Sequence, residues 1–167
     1  MANSWLIVSG DQVGAQPITD TSTTQKHPVG TIVKARSLTY GEGEFIYLAG
    51  VGSTVAGSVV TYNTSSFTTT LAAAGTAISL NVAVAMSANV ASQWGWYQIA
   101  GVATVKKASA TSLAAGAALG ASTGVVIAAA TSNAIVGAHV AAVASATSGT
   151  AAGFVTVMVN RPKMSET

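Results

Sequence analysis

Few side chains in this sequence could carry out acid–base, nucleophilic or metal-dependent chemistry. The chain of 167 residues has no cysteine, which excludes disulfides, thiolate catalysis and cysteine-ligated metals. His27 precedes a proline in a polar turn, and His139 lies in an apolar run where we expect a packed core position. The carboxylates are Asp11, Asp20, Glu42, Glu44 and Glu166. No histidine stands at a metal-ligand spacing from any of them, so we predict no catalytic residue, no metal site and no cofactor.

Glu42 and Glu44 are the pair of carboxylates best placed to divide acid and base roles. Two residues apart on a strand, they would point to the same face of a sheet. They flank Gly43 at a turn, however, and Lys34 and Arg36 occupy the preceding strand. We therefore expect a solvated ion-pair cluster instead of a catalytic pair, and we interpret the chain as a non-enzyme.

Aromatic residues give the stronger indication of a binding role. On a strand, Trp94 and Trp96 would share one face while Tyr97 takes the other. Such a group fills a core, anchors a subunit interface or stacks on a carbohydrate. Trp5 lies near the N-terminus, where we expect it to dock on its own domain or on a neighbour. The predicted interface candidates are Trp5, Leu6, Val8, Trp94, Trp96 and Tyr97.

The scarcity of charge distinguishes this chain from ordinary soluble domains. Only 7% of its residues are charged, against about 25% in a typical protein. Between residues 45 and 160 the only charges are Lys106 and Lys107, so we expect other protein copies to cover this surface. The net charge of +2 comes from scattered basic residues, which predicts no nucleic-acid partner. Polar residues interrupt every long apolar stretch, which predicts no membrane span.

Strand-forming runs bounded by turn residues predict an all-β fold. Apolar and smaller residues alternate over residues 80–87, which is the period of a half-buried strand. Further runs at 45–48, 59–62, 93–99 and 154–159 have glycine, asparagine or serine near their ends. This pattern is typical of a β-barrel or a jelly-roll-like sandwich.

Composition divides the chain into three parts. Residues 1–38 hold two of the three prolines and a polar run, which predicts an extended N-terminal arm. Residues 39–160 form the predicted barrel or sandwich domain, and residues 161–167 form a C-terminal tail. The alanine-rich segments 113–119 and 128–144 are assigned to strands and turns, because glycine, valine and threonine interrupt the helix-forming alanines.

A weak internal repeat indicates two related halves within the domain. Residues 96–99 (Trp-Tyr-Gln-Ile) correspond to residues 154–157 (Phe-Val-Thr-Val), 58 positions later. Matches with nearly the same spacing join residues 56–59 to 115–118 and residues 77–78 to 134–135. Two units are too few for a solenoid. We therefore expect two half-barrels, or the two sheets of a sandwich.

The sequence resembles a family of small structural proteins of tailed bacteriophages. The resemblance is carried by residues 27–35, by the run Tyr-Gly-Glu-Gly-Glu-Phe-Ile-Tyr-Leu at 40–48, by residues 82–91, and by Gln-Trp-Gly-Trp-Tyr-Gln at 93–98. It covers roughly residues 27–105 and extends to the last third in pattern alone. The resemblance implies a capsid decoration (cement) protein, made in the host cytoplasm and located on the outer surface of the virion.

That resemblance also implies the partners. They are the major capsid protein and further copies of the chain itself, in a homo-oligomeric dimer or trimer. The main alternative is a phage tail or fibre component, with carbohydrate binding as one form of it. A secreted or membrane-associated β protein is the third interpretation.

Overall fold

The computed structural model of the chain describes residues 5–8, 16–75, 80–109, 111–141 and 153–165. Within these ranges the chain forms twelve strands and no helix, so the predicted all-β class is confirmed. The same ranges accordingly contain no helix long and apolar enough to cross a membrane. The strands are β1 (Trp5–Ile7), β2 (Thr21–Ser22), β3 (Ile32–Ser37), β4 (Gly41–Ala49), β5 (Val59–Tyr62), β6 (Thr69–Leu71), β7 (Asn81–Ala85), β8 (Trp94–Lys107), β9 (Ala118–Ser122), β10 (Val125–Ala128), β11 (Ala134–Val140) and β12 (Gly153–Met164).

Five strands of the first half pair in a ring, which we call the first ring. β4 pairs with β8, β8 with β7, β7 with β5 and β5 with β6, and each pairing is antiparallel. β6 returns to β4 through a parallel bridge between Ala49 and Thr68. The side chains packed within this ring are Ile46, Leu48, Val60, Ala83, Ala85, Tyr97 and Ile99.

β8 also belongs to a second ring, because its C-terminal half pairs with β12 instead of β4. β12 pairs with β11, β11 with β9 and β9 with β10, again antiparallel. β10 returns to β8 through a parallel pair between Val126 and Lys107, which closes the barrel. Its core is rich in valine and includes Val105, Leu119 and Val157.

The two rings have the same connectivity. Each strand of the first ring corresponds to the strand numbered four higher in chain order, so that β4 matches β8 and β7 matches β11. Both rings therefore contain four antiparallel pairings and one parallel closure. A shift of 58 residues relates the pairs Ala49–Thr68 and Lys107–Val126, and likewise Thr61–Thr70 and Leu119–Ala128. The expected repeat is thus visible in strand register, although residues 77–78 lie outside the described ranges.

β8 is one strand of 14 residues, which continues the run predicted at 93–99 through Gly101 to Lys107. Gly101 has a φ of 99°, and a Cβ at that position would lie 2.5 Å from the Glu42 carbonyl oxygen. Gln98 bridges this bend, because its Nε2 donates to the carbonyls of Ala100 and Val102 at 3.1 and 3.0 Å. The glycine therefore bends the strand and lets it serve both rings.

β7 is buried on both faces, although its alternating sequence predicted burial on one face only. Val82 and Val84 pack in the core of the second ring, and Ala83 and Ala85 pack in the core of the first. The physical reason is that β7 lies between the two cores, so its valines face one core and its alanines face the other.

The described part of residues 1–38 packs on the domain that follows it. β3 pairs with β4 along its whole length, and β1 pairs with β3. Ile18 is fully buried together with Val33 and Phe45, so the segment covers one face of the β3–β4–β8 sheet. At the other end of the chain, residues 161–164 continue β12.

Candidate interaction surface

Trp94, Trp96 and Tyr97 take the orientations expected of a strand. Trp96 and Trp94 pack under the N-terminal segment, and Tyr97 points into the first ring. Trp96 and Tyr97 are completely buried within the chain, whereas Trp94 is half-buried. These positions favour a core role for Trp96 and Tyr97 over an exposed carbohydrate-stacking platform.

Gln16 is the residue that joins the N-terminal segment to these aromatics, and no pattern in the sequence indicated it. The Trp96 Nε1–H donates to the Gln16 carbonyl at 2.8 Å, and the Tyr47 hydroxyl donates to Gln16 Oε1 at 2.9 Å. Gln16 Nε2 in turn donates to the carbonyls of Asp20 and Trp94. One side chain thus satisfies buried polar groups on three separate segments.

Trp5 docks on its own domain. Docking on a neighbouring molecule was the other alternative that the sequence left open. The Trp5 ring packs edge-on against Phe45, with centroids 4.9 Å apart, and stacks beside Tyr40 at 6.5 Å. It also lines a groove of about 280 Å³ whose walls include Tyr40, Met86, Val102 and Phe154. We call this the aromatic groove.

An exposed apolar ridge continues from one wall of the aromatic groove across the outside of the second ring. Phe154 is 51% exposed and Met158 is 37% exposed. Both side chains point outward from β12, and Met158 lies opposite Val102 on β8 and His139 on β11. We call Val102, Phe154 and Met158 the apolar ridge.

Leu6 and Val8 are the sequence-predicted candidates that remain exposed, at 66% and 54%. Leu6 lies opposite Arg36 on β3, and Arg36 lies opposite Glu42 on β4. The outer face of β1, β3 and β4 therefore carries apolar, basic and acidic side chains in successive strands. We call it the striped face.

The predicted ion-pair cluster is present on the striped face. Arg36 Nη2 lies 2.6 Å from Glu42 Oε1, and Arg161 Nη2 lies 2.8 Å from Glu44 Oε2. The Arg36 hydrogen bond and charge lower the pKa of Glu42. Both glutamates therefore contact arginine side chains, as expected of an ion-pair cluster.

His139 lies in an environment opposite to the predicted core position, whereas His27 lies in a bend, close to the predicted turn, and is partly buried. His27 packs against Tyr47 and Trp96 at centroid distances of 5.1 and 5.2 Å, and burial lowers its pKa. His139 is exposed on β11, because the bulge at Gly137 changes which residues of that strand face inward. The described residues contain no group of three histidines or carboxylates that could hold a metal ion.

The sequence contains one Gly-x-Ser-x-Gly motif, at residues 120–124, which matches the consensus sequence of a nucleophile elbow. It forms the β9–β10 hairpin, with Thr123 and Gly124 at positive φ in the turn. A nucleophile elbow joins a strand to a helix and needs a histidine beside the serine. His139 instead lies opposite Ala118, at the far end of β9 from Ser122.

No protein-family model matches the sequence, and comparison with curated proteins yields no match either.

Proposed function

We propose that this chain is a structural protein of a tailed-phage virion that binds the outside of the assembled capsid and stabilises it. The mechanism is mass action: a subunit that binds the assembled shell, and not its dissociated parts, adds its binding free energy to the stability of that shell. The partner is the major capsid protein, and the apolar ridge with the aromatic groove is the contact surface.

The observation that carries this proposal is the low charge of the outer surface around the apolar ridge, between residues 102 and 160 of the second ring. Of the two charges between residues 45 and 160, Lys107 is buried and donates to the Thr111 carbonyl at 2.6 Å. Lys106 therefore remains the single accessible charge of that stretch among the described residues. Depletion of charge around exposed aromatic and methionine side chains is typical of the centre of a protein–protein interface.

Binding to expanded shells that lack the chain tests this proposal. We expect the purified chain to cosediment with shells of the phage that encodes it. The double variant Phe154→Asp/Met158→Asp should bind at least about tenfold more weakly, because charge is placed in the dry centre of the contact. Val90→Asp, at a site that is also 37% exposed but lies outside the ridge, serves as the matched control.

Failure of the folded wild-type chain to bind such shells would overturn the proposal. Equal binding by the ridge variant and the control would show that the contact lies elsewhere on the chain.

A tail or fibre protein is the second candidate function, because a charge-poor surface rich in serine and threonine suits it too. Copy number distinguishes the two: a capsid decoration protein is present in hundreds of copies per virion, and a tail protein in a handful. Cryo-electron microscopy of the virion gives both the copy number and the location.

A further inference from the structure

The striped face concentrates charge in a chain that otherwise has little. Asp11 and Glu166 lie outside the described ranges, and five of the other ten charged residues lie on or beside this face. They are Lys34 and Arg36 on β3, Glu42 and Glu44 on β4, and Arg161 on β12. Charge that is scarce elsewhere and ordered here indicates a surface with its own partner.

The charges are arranged in two parallel rows of opposite sign. Lys34 lies opposite Glu44, and Arg36 lies opposite Glu42, at the same heights along the sheet. Because directly opposed residues of antiparallel strands share a face, all four side chains point to the same side. Arg36 and Glu42 are both more than 60% exposed, so their remaining hydrogen-bonding capacity faces solvent.

Apolar and small residues flank the two charged rows. Leu6 on β1 and Val8, directly after it, project on the basic side, whereas Ala100 and Gly101 lie on the acidic side. Together with Lys34, Glu42 and Glu44, Ala100 and Gly101 line a depression of about 210 Å³. The face therefore has an exposed apolar edge next to the basic row and a hollow over the acidic row.

We propose that the striped face binds a second copy of this chain around a twofold axis that runs parallel to the strands, between β3 and β4. Rotation about this axis keeps each residue at the same height along the strands. It places the basic row of one copy over the acidic row of the other. Arg36 of one copy then faces Glu42 of the other, and Lys34 faces Glu44. Val8 lies level with Lys34, and Ala100 lies opposite Glu44, so Val8 of one copy enters the hollow beside Ala100 of the other. The face is therefore complementary to itself, as an isologous dimer requires.

The size of the face sets the strength of this dimer. Four strands spaced by about 4.8 Å and six residues of about 3.4 Å each give a flat area of about 400 Å² per copy. That lies below the roughly 800 Å² per partner of a stable interface, so we expect a dissociation constant in the micromolar range or weaker. Because the contact is electrostatic, raising the salt from about 0.05 to 0.5 M should weaken it severalfold.

Two charge-reversed variants test the pairing of the rows. Lys34→Glu/Arg36→Glu makes both rows acidic, and Glu42→Lys/Glu44→Lys makes both rows basic. Each variant alone should sediment as a monomer in analytical ultracentrifugation. Their equimolar mixture should form a heterodimer, because every acidic row then meets a basic row. Lys106→Glu changes a charge away from the face and should dimerise as the wild type does.

Disulfide trapping provides a second measurement that leaves the charges intact. The chain has no cysteine, so Val8→Cys and Ala100→Cys each introduce a single thiol. Under mild oxidation, a mixture of these two variants should cross-link into a heterodimer, whereas Val8→Cys mixed with Lys106→Cys should not.

A wild-type chain that stays monomeric at high concentration and low salt would overturn the proposal. So would charge-reversed variants that stay monomeric when mixed, together with no Val8–Ala100 cross-link. Because these measurements use the purified chain alone, their failure is distinct from a failure to bind capsids.

Discussion

Replacing Trp96 by phenylalanine should destabilise the chain strongly, because Trp96 holds the N-terminal segment on the sheet. Trp96 is completely buried and contacts Tyr47 and His27 through its ring. Its Nε1–H is the donor to the Gln16 carbonyl. The substitution removes this donor from a buried acceptor and also leaves a void where the larger indole ring was.

The two losses can be estimated separately. A buried acceptor left without its donor costs about 1–3 kcal/mol, and the lost ring atoms and the resulting cavity add about 1–2 kcal/mol. We therefore expect the free energy of unfolding to fall by about 3 kcal/mol. With a urea m-value of about 2 kcal/mol/M, the unfolding midpoint should move down by about 1.5 M.

Urea denaturation followed by tryptophan fluorescence and circular dichroism measures this shift. Trp94→Phe is the matched control, since Trp94 is only half-buried and its carbonyl, which accepts from Gln16 Nε2, is kept. We expect a midpoint shift of less than about 0.5 M for the control. If Trp96→Phe shifts the midpoint no more than Trp94→Phe does, the assignment of Trp96 as the support of the N-terminal segment is wrong.

Two further predictions concern pH and backbone conformation. Burial lowers the pKa of His27, so the unfolded chain binds that proton more readily than the folded chain. Stability should thus be complete above pH about 6.5 and decline below it. Melting temperatures from pH 8 to 5 should show a smaller decline for His27→Gln than for the wild type. Gly101→Ala should cost about 2 kcal/mol or more, because alanine resists the positive φ and its Cβ would meet the Glu42 carbonyl. Gly52→Ala, with nothing near its added Cβ, should unfold at nearly the wild-type urea concentration.

The local pattern of the sequence predicts most of the strands. The runs at 59–62 and 154–159 both become strands, because β-branched and aromatic residues suit a pleated, half-buried surface. The alanine-rich residues 118–122 and 134–140 also form strands, since they are paired and covered by their neighbours. The 58-residue spacing was detectable because equivalent strands in the two rings need similar side chains at equivalent positions.

Pairing between distant strands could not be predicted in the same way. The sequence does not show that β8 serves both rings, because that depends on the bend at Gly101 and on long-range register. Nor does it show that Gln16 is buried, since one polar residue carries no periodic signal. His139 was misassigned because its apolar neighbours indicate burial, whereas the bulge at Gly137 turns its side chain outward.

The two proposed surfaces differ in the physical force that governs each, so they can be separated by salt. Among the described residues, the charged residue paired in register with the apolar ridge is Lys106 on β8, opposite Phe154, and hydrophobic contact weakens little as ionic strength rises. The striped face depends on opposed charges that are screened within about 10 Å at 0.1 M salt. Because this face holds half of the described charges as opposed pairs, salt should act on it more strongly than on the ridge. Self-association should therefore be lost at salt concentrations where capsid binding persists, and a parallel loss of both would mean that the chain uses one surface for both partners.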